Sequence, residues 1–190
     1  MKKVYLSHFS IIIDPGKNQF LPYSSATLWS YVQTQQDIID RYELGGMFFE
    51  KDSYSNIIDQ LDNPAVFGMS CYVWNANFND GLAQQIKKRY PECLIVYGGP
   101  HLPQSADDDW WGEHSYVDAV VYYEGEKVFA DILRCEDRGS IAEIPNVCVN
   151  FGSHWTYSND PTANRIRDLQ VIPSPYASEL FKNVQANNAA

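Results

Sequence analysis

Two short segments gather residue types suited to holding a ligand. They are Ser70-Cys71-Tyr72-Val73-Trp74-Asn75 and Gly98-Gly99-Pro100-His101, each at the end of an apolar run. Glycines let a ligand approach the backbone, a small hydroxyl touches it without filling its space, and an apolar wall covers a flat face. Ser70, Gly98 and Gly99 fit the first two roles. Tyr72, Val73 and Trp74 fit the third, with Asn75 in place to cap the helix that follows. Read alone, Gly98-Gly99 is equally well explained as a turn out of a strand, and Trp74 as ordinary core. A third segment, Glu124-Gly125-Glu126, opens a helix, where the helix dipole favours acidic side chains. Glu126 therefore reads as a helix-start charge. Paired carboxylates could serve acid–base catalysis, but no nucleophile or metal motif stands beside them, so the structural reading is preferred, with Glu124 and the backbone amides around Gly125 as candidate ligand contacts.

The elements that must position these segments alternate along the chain. Residues 4–13 are β-branched and aromatic and stop at Asp14-Pro15-Gly16, which predicts a first strand. Leu28, Tyr31, Val32, Ile38, Ile39 and Tyr42 follow helical spacing, predicting a helix over 24–43 with Ser24 or Ser25 as its N-cap. Gly45-Gly46 ends it; a short second strand, 47–49, and a second helix, 53–61, follow. The apolar run 65–73 reads as a strand buried on both faces. A helix beginning at Asn77 or Asn79 runs through Arg89, and Pro91 separates it from a fourth strand, 93–97. Residues 106–113, with Asp107-Asp108-Asp109 and Trp110-Trp111, read as a solvated helix start with an apolar underside. A fifth strand, 117–123, and a helix, 126–135, complete the alternation.

This rhythm predicts an α/β fold of the flavodoxin-like or Rossmann-like type. Its three α/β/α layers surround a five-stranded parallel sheet of order 2-1-3-4-5. Ligands of such sheets bind at the carboxyl ends of the strands, above all where strand order reverses, here between the first and third. One domain is expected over 1–140. Residues 141–190 read as a small β-hairpin (145–151 with 154–157, around Gly152-Ser153), a proline-punctuated linker at 172–176, and a polar, frayed tail from 183.

Composition narrows the classes of function. The chain has 190 residues and a net charge of −10, and its Lys and Arg residues are scattered apart from Lys87-Lys88-Arg89, so no nucleic-acid partner is expected. No run approaches the roughly 18 apolar residues of a membrane span, and Met1-Lys2-Lys3 leads into a β-like stretch, so a cytoplasmic protein is expected. The four cysteines, 71, 93, 135 and 148, match no zinc spacing and read as reduced and structural.

Taken in order, several motifs resemble the amino-terminal cobalamin (B12)-binding domain of cobalamin-dependent radical S-adenosylmethionine (SAM) enzymes. They are Leu21-Pro22-Tyr23, Leu28-Trp29-Ser30-Tyr31, Gly68-Met69 leading into the Ser70 segment, Tyr90-Pro91, Gly98-Gly99-Pro100-His101, Val117-Asp118, Glu124-Gly125-Glu126, and Asp168-Leu169 with Ile172-Pro173-Ser174-Pro175-Tyr176. The resemblance implies the cobalamin-binding Rossmann-like fold and a slot for the cofactor's nucleotide tail lined by Ser70, Gly98 and Gly99. A bulky residue at Gly99, such as Trp, is expected to fill that slot while the fold persists. It also implies a radical SAM barrel as a partner, in cis or in trans. The barrel's CxxxCxxC iron–sulfur motif is absent from this sequence, so no cluster and no catalysis by this chain alone are expected.

Classical cobalamin carriers supply a lower cobalt ligand from an Asp-x-His-x-x-Gly loop after the first strand. The corresponding loop here, 14–24, has no histidine, which implies five-coordinate or water-ligated cobalt. His8 reads as a satisfied core residue inside the first strand, and His101 as a hydrogen-bonding loop histidine. Two other readings remain open: a cofactor-free interaction or regulatory module, and a nucleotide- or flavin-binding protein. The second lacks a GxGxxG or GxxxxGK[ST] loop after the first strand.

Overall fold

The computed structural model describes residues 1–11, 21–103, 106–177 and 179–181. Five strands run parallel in the order β2-β1-β3-β4-β5: β1 (Lys2–Ser7), β2 (Tyr42–Phe48), β3 (Pro64–Ser70), β4 (Leu94–Gly98) and β5 (Ala119–Val121). The reversal of strand order between β1 and β3 is where the sequence placed it.

The sheet does not stop at five strands. β6 (Val147–Asn150) and β7 (Trp155–Tyr157) continue it antiparallel, with Ala119 opposite Val149 and Cys148 opposite Tyr157. The hairpin is thus part of the main sheet and not an appendage. All four β6 residues are buried, which a free-standing two-stranded hairpin could not achieve.

Helices cover both faces. On one side α1 (Tyr23–Val32), α6 (Glu126–Arg134) and α7 (Arg138–Ala142) bury Trp29, Val32, Phe129, Ile132 and Ile141 against Val4, Leu6, Val66, Val96 and Val121. On the other, α3 (Tyr54–Asp59), α4 (Ala76–Arg89) and α5 (Asp108–Glu113) bury Ile57, Leu82, Ile86 and Trp111 against Tyr5, Phe67, Ile95 and Val120. The period-two alternation of the strands divides these two cores, and β3 feeds both.

Three boundaries differ from the sequence reading. The helix expected over 24–43 breaks after Val32. A four-residue helix α2 (Gln36–Ile39) follows, and β2 begins at Tyr42, because Tyr42, Glu43 and Leu44 pair with Lys2, Lys3 and Val4 of β1. Gly45 lies inside β2 and not at a helix end: a Cβ there would collide with the Tyr5 ring, which crosses the strand at that point.

The first strand ends at Ser7, and β3 at Ser70 rather than Val73, where Cys71 N–H turns to the Gly98 carbonyl at 2.6 Å. The expected strand over 11–13, apart from Ile11, the Asp14-Pro15-Gly16 turn, most of the 14–24 loop and the tail from 183 lie outside the described residues. Among the described residues no helix is long and apolar enough to cross a membrane.

Candidate functional site

Parallel pairing puts Ser70 directly opposite Gly98 at the carboxyl edge of the sheet. Between this edge and helices α1 and α6 lies a cavity of about 460 Å³, floored by Gly68, Ser70, Val96, Gly98 and Val121 and walled by Leu28, Phe129 and Gly125. Its volume falls within the range of small-molecule sites. Small residues make the space: Gly68 already lets Leu6 and Phe129 pack closely, and a Cβ on Gly98 would meet nothing nearer than 3.9 Å.

Gly99 has a different task. Its φ of +118° suits glycine, and a Cβ there would fall 2.6 Å from the Cys71 carbonyl oxygen and 2.9 Å from its nitrogen. The turn Gly98-Gly99-Pro100-His101 wraps tightly around Cys71, with the His101 N–H donating to the Cys71 carbonyl at 3.2 Å. Replacing Gly99 with Trp therefore breaks the turn and does not simply fill the slot. Pro100 lines the cavity; His101 is exposed on the outside of the turn. Burial raises the Cys71 thiol to about 12, which leaves it protonated and inert.

Asn75 is not a side-chain cap. It is buried and works as a clamp: its Oδ1 accepts from Tyr72 N–H at 2.8 Å, and its Nδ2 donates to the carbonyls of Phe9 at 3.1 Å and Ser70 at 3.0 Å. This clamp fixes the loop that displays Val73, 73% exposed, and Trp74, 37% exposed. Trp74 is not core: its ring stacks on Tyr72 at 4.5 Å and its indole N–H donates to the Phe9 carbonyl at 3.0 Å, leaving an apolar surface at the sheet edge.

Glu124 and Gly125 lie on the far rim of the cavity. Glu124 accepts from the Ile166 N–H at 3.1 Å, with the Arg165 guanidinium 3.6 Å away, so its carboxylate tethers the segment after the hairpin. Gly125 is the residue from which α6 starts, and Glu126 occupies its first turn. Asp107 caps α5 through Trp110 N–H, with Trp111 buried beneath, as the solvated-helix reading expected.

His8 stands just beyond the end of β1, half-buried, and not within the strand. Its Nδ1 shares a 2.6 Å hydrogen bond with Ser24 Oγ, which lies 3.1 Å from Ser70 Oγ. Burial lowers its affinity for a proton, favouring the neutral ring.

The sequence reading missed Ser24, Ser25, Leu28, Tyr123 and Phe129 as cavity-lining residues. Neither Ser24 nor Ser25 is the N-cap that the sequence suggests: Pro22 precedes the helix. Ser25 Oγ donates to the Ser7 carbonyl at 3.1 Å. Tyr123 carries a signal visible only in the backbone, a φ of +63° that is rare for an aromatic residue. Among the described residues no group of three or more His, Cys, Asp or Glu side chains is placed to hold a metal ion.

No protein-family model matches the chain. It is 33% identical over 159 residues to the cobalamin-dependent radical SAM methyltransferase TokK of Streptomyces tokunonensis, an alignment covering 83% of this chain and 23% of that protein. It is 31% identical, with the same coverage, to the 2-(S-pantetheinyl)-carbapenam-3-carboxylate methyltransferase of Streptantibioticus cattleyicolor. The chain thus spans about a quarter of the length of the curated relatives it matches. In structure it is similar to the cobalamin-dependent S-adenosylmethionine radical enzyme OxsB with aqua-cobalamin and S-adenosylmethionine bound. The TM-score is 0.68 at 14% identity, over 92% of this chain and 24% of that one, a likeness of fold.

Proposed function

We propose, on the premise that this chain is homologous to one segment of the cobalamin-dependent radical SAM methyltransferases, that it is a cobalamin-binding domain of that class of enzyme. The observation that carries the reading is the cavity at the carboxyl ends of β3, β4 and β5, one strand along from the β1–β3 reversal of strand order. It is a slot of about 460 Å³ whose floor a side chain at Gly98 would occupy, beside an exposed apolar shelf.

The residues present fit the group. Ser70 and Gly98 on one side and Leu28 and Phe129 on the other would hold the nucleotide tail, and Val73 and Trp74 at the strand ends would cover a face of the corrin. In this reading Tyr72 supports Trp74 from behind, Pro100 and the Glu124-Gly125 rim border the slot, and His101 stays at the margin of the corrin. The sheet is accordingly the flavodoxin-like core of a cobalamin-binding fold, enlarged by its hairpin.

Cobalamin when bound supplies methyl-group chemistry; this chain's residues bind it, orient it and shield one face from water. No histidine from the 14–24 loop reaches the cobalt, since that loop contains none. Reaction and substrate choice belong to a radical SAM barrel, in cis or in trans, toward which the segment after the hairpin would lead from a domain whose sheet extends to β7. The chain is not catalytic by itself. Its four free cysteines, three of them buried, accord with a reducing cytoplasm.

The test is retention. The purified chain is incubated with hydroxocobalamin or methylcobalamin, desalted, and its visible spectrum recorded. Near-stoichiometric corrin at micromolar protein is expected. A colourless protein would favour a cofactor-free interaction module instead.

A further inference from the structure

The cavity wall contains two hydroxyls that are themselves held from behind. Ser24 Oγ and Ser70 Oγ both border the cavity, 3.1 Å apart, and Ser24 Oγ is bonded to His8 Nδ1 at 2.6 Å. The His8 backbone is anchored by its N–H, which donates to the Phe48 carbonyl at 2.9 Å, and the face of its ring stacks on Tyr72 with centroids 5.0 Å apart. Tyr72 carries Trp74 on its own ring. One side chain therefore touches both halves of the site, the polar wall of the slot and the aromatic shelf outside it.

We infer that His8 is a positioning residue for ligand recognition, orienting the Ser24–Ser70 hydroxyl pair toward a polar group on the tail of a corrinoid seated in the slot. The inference rests on the cobalamin-binding reading and deepens it.

The physical reason is that a hydroxyl rotates freely about its C–O bond, and the apolar side chains that line the slot, Leu28, Val96, Val121 and Phe129, cannot hold it in one orientation. Chaining Ser70 to Ser24 and Ser24 to an imidazole stacked on Tyr72 leaves the pair two coupled arrangements of lone pairs and protons, one for each tautomer of the ring. A neutral imidazole serves as either donor or acceptor at Nδ1, so the chain adapts to the tail group it meets. Without His8, both hydroxyls must be ordered at the moment of binding. The expected loss is that of one net hydrogen bond, about tenfold in affinity.

The experiment uses cobalamin and cobinamide, a corrinoid without the nucleotide tail, with the parent protein and two variants. His8→Phe keeps a ring on Tyr72 but removes Nδ1. Ser24→Ala cuts the chain between His8 and Ser70 without touching the stack, so the test survives if His8→Phe fails to fold.

The parent is expected to bind cobalamin more tightly than cobinamide. Each variant is expected to lose about tenfold for cobalamin and nothing for cobinamide, with native circular dichroism. The double variant is expected to lose no more than the larger single one, since both cut the same chain.

A folded variant that keeps the parent's preference, or weakens both corrinoids equally, overturns the inference. So does a parent that binds the two corrinoids equally, which leaves corrin binding itself intact. A parent that binds neither removes the cobalamin reading and the inference with it.

Discussion

Gly98 and Gly99 are neighbours with opposite requirements, and they separate binding from folding. Gly98 is open toward the cavity, so Gly98→Leu is expected to fold normally while cobalamin affinity drops about a hundredfold, the equivalent of losing most of one buried tail contact. Gly99→Ala meets the Cys71 backbone in a left-handed conformation and is expected to lower stability by about 2 kcal/mol. Urea denaturation and a cobalamin titration of the two variants check both statements.

His8 adds a pH dependence. Its native proton affinity is lowered by burial, so the unfolded chain takes up that proton at higher pH than the native one. The stability His8 contributes is complete above the ordinary histidine range and lost as pH falls through that range to the lowered native value. The urea midpoint is expected to decline as pH falls below the ordinary histidine range, and to decline less in His8→Phe.

Which residues cluster at the strand ends was readable from glycine, serine and aromatic types following apolar runs. What each does was not. The difference between Gly98 and Gly99 lies in a φ angle, Asn75's role depends on the distant Phe9 carbonyl, and His8 is linked through Ser24 to Ser70 only when three elements come together.

At the level of elements, one buried carboxylate joins the end of the sheet opposite the cavity. Asp118, just before β5, accepts from Ile95 N–H of β4 at 2.7 Å, pairs with Lys87 of α4 at 2.6 Å, and pairs with Arg138 of α7. Arg138 also donates to the Asn150 carbonyl of β6 at 2.5 Å. Asp118→Ala strips the charged partner from a largely buried lysine, which keeps only the Pro91 and Cys93 carbonyls, and removes the acceptor of the Ile95 N–H. It is expected to cost about 3 kcal/mol in urea denaturation.

The alternation of strands and helices was legible because each strand needs its apolar run and each helix its 3.6-residue stripe. Two joins were not. Tyr42-Glu43-Leu44 extends a helical spacing from the preceding residues, and only pairing with β1 converts it to strand. The hairpin itself was visible, but its attachment to β5 is a non-local pairing. The one local sign was Val147-Cys148-Val149, apolar on both faces and so unsuited to a hairpin standing alone in water.

On the scale of the whole molecule the two ends of the sheet divide the work. The end with Asp118, Lys87 and Arg138 is locked by charge. The end with Ser70 and Gly98 is kept open by small residues and carries the exposed side chains Val73, Trp74, Tyr23, Tyr123 and Tyr176. Exposed apolar and aromatic groups gathered at one end of a sheet suit a face that something else covers. In the proposed reading the corrin covers the part around Trp74, and a barrel closes over it.

Amide-resolved NMR of the chain titrated with cobalamin tests this most directly. Perturbations are predicted at 70–75, 98–101 and 124–125 and along the faces of α1 and α6 that border the slot, with Asp118, Arg138 and the α3–α4 face unchanged. Perturbations confined to the Asp118 end or to α3 and α4, or none at saturating cobalamin, would contradict the account.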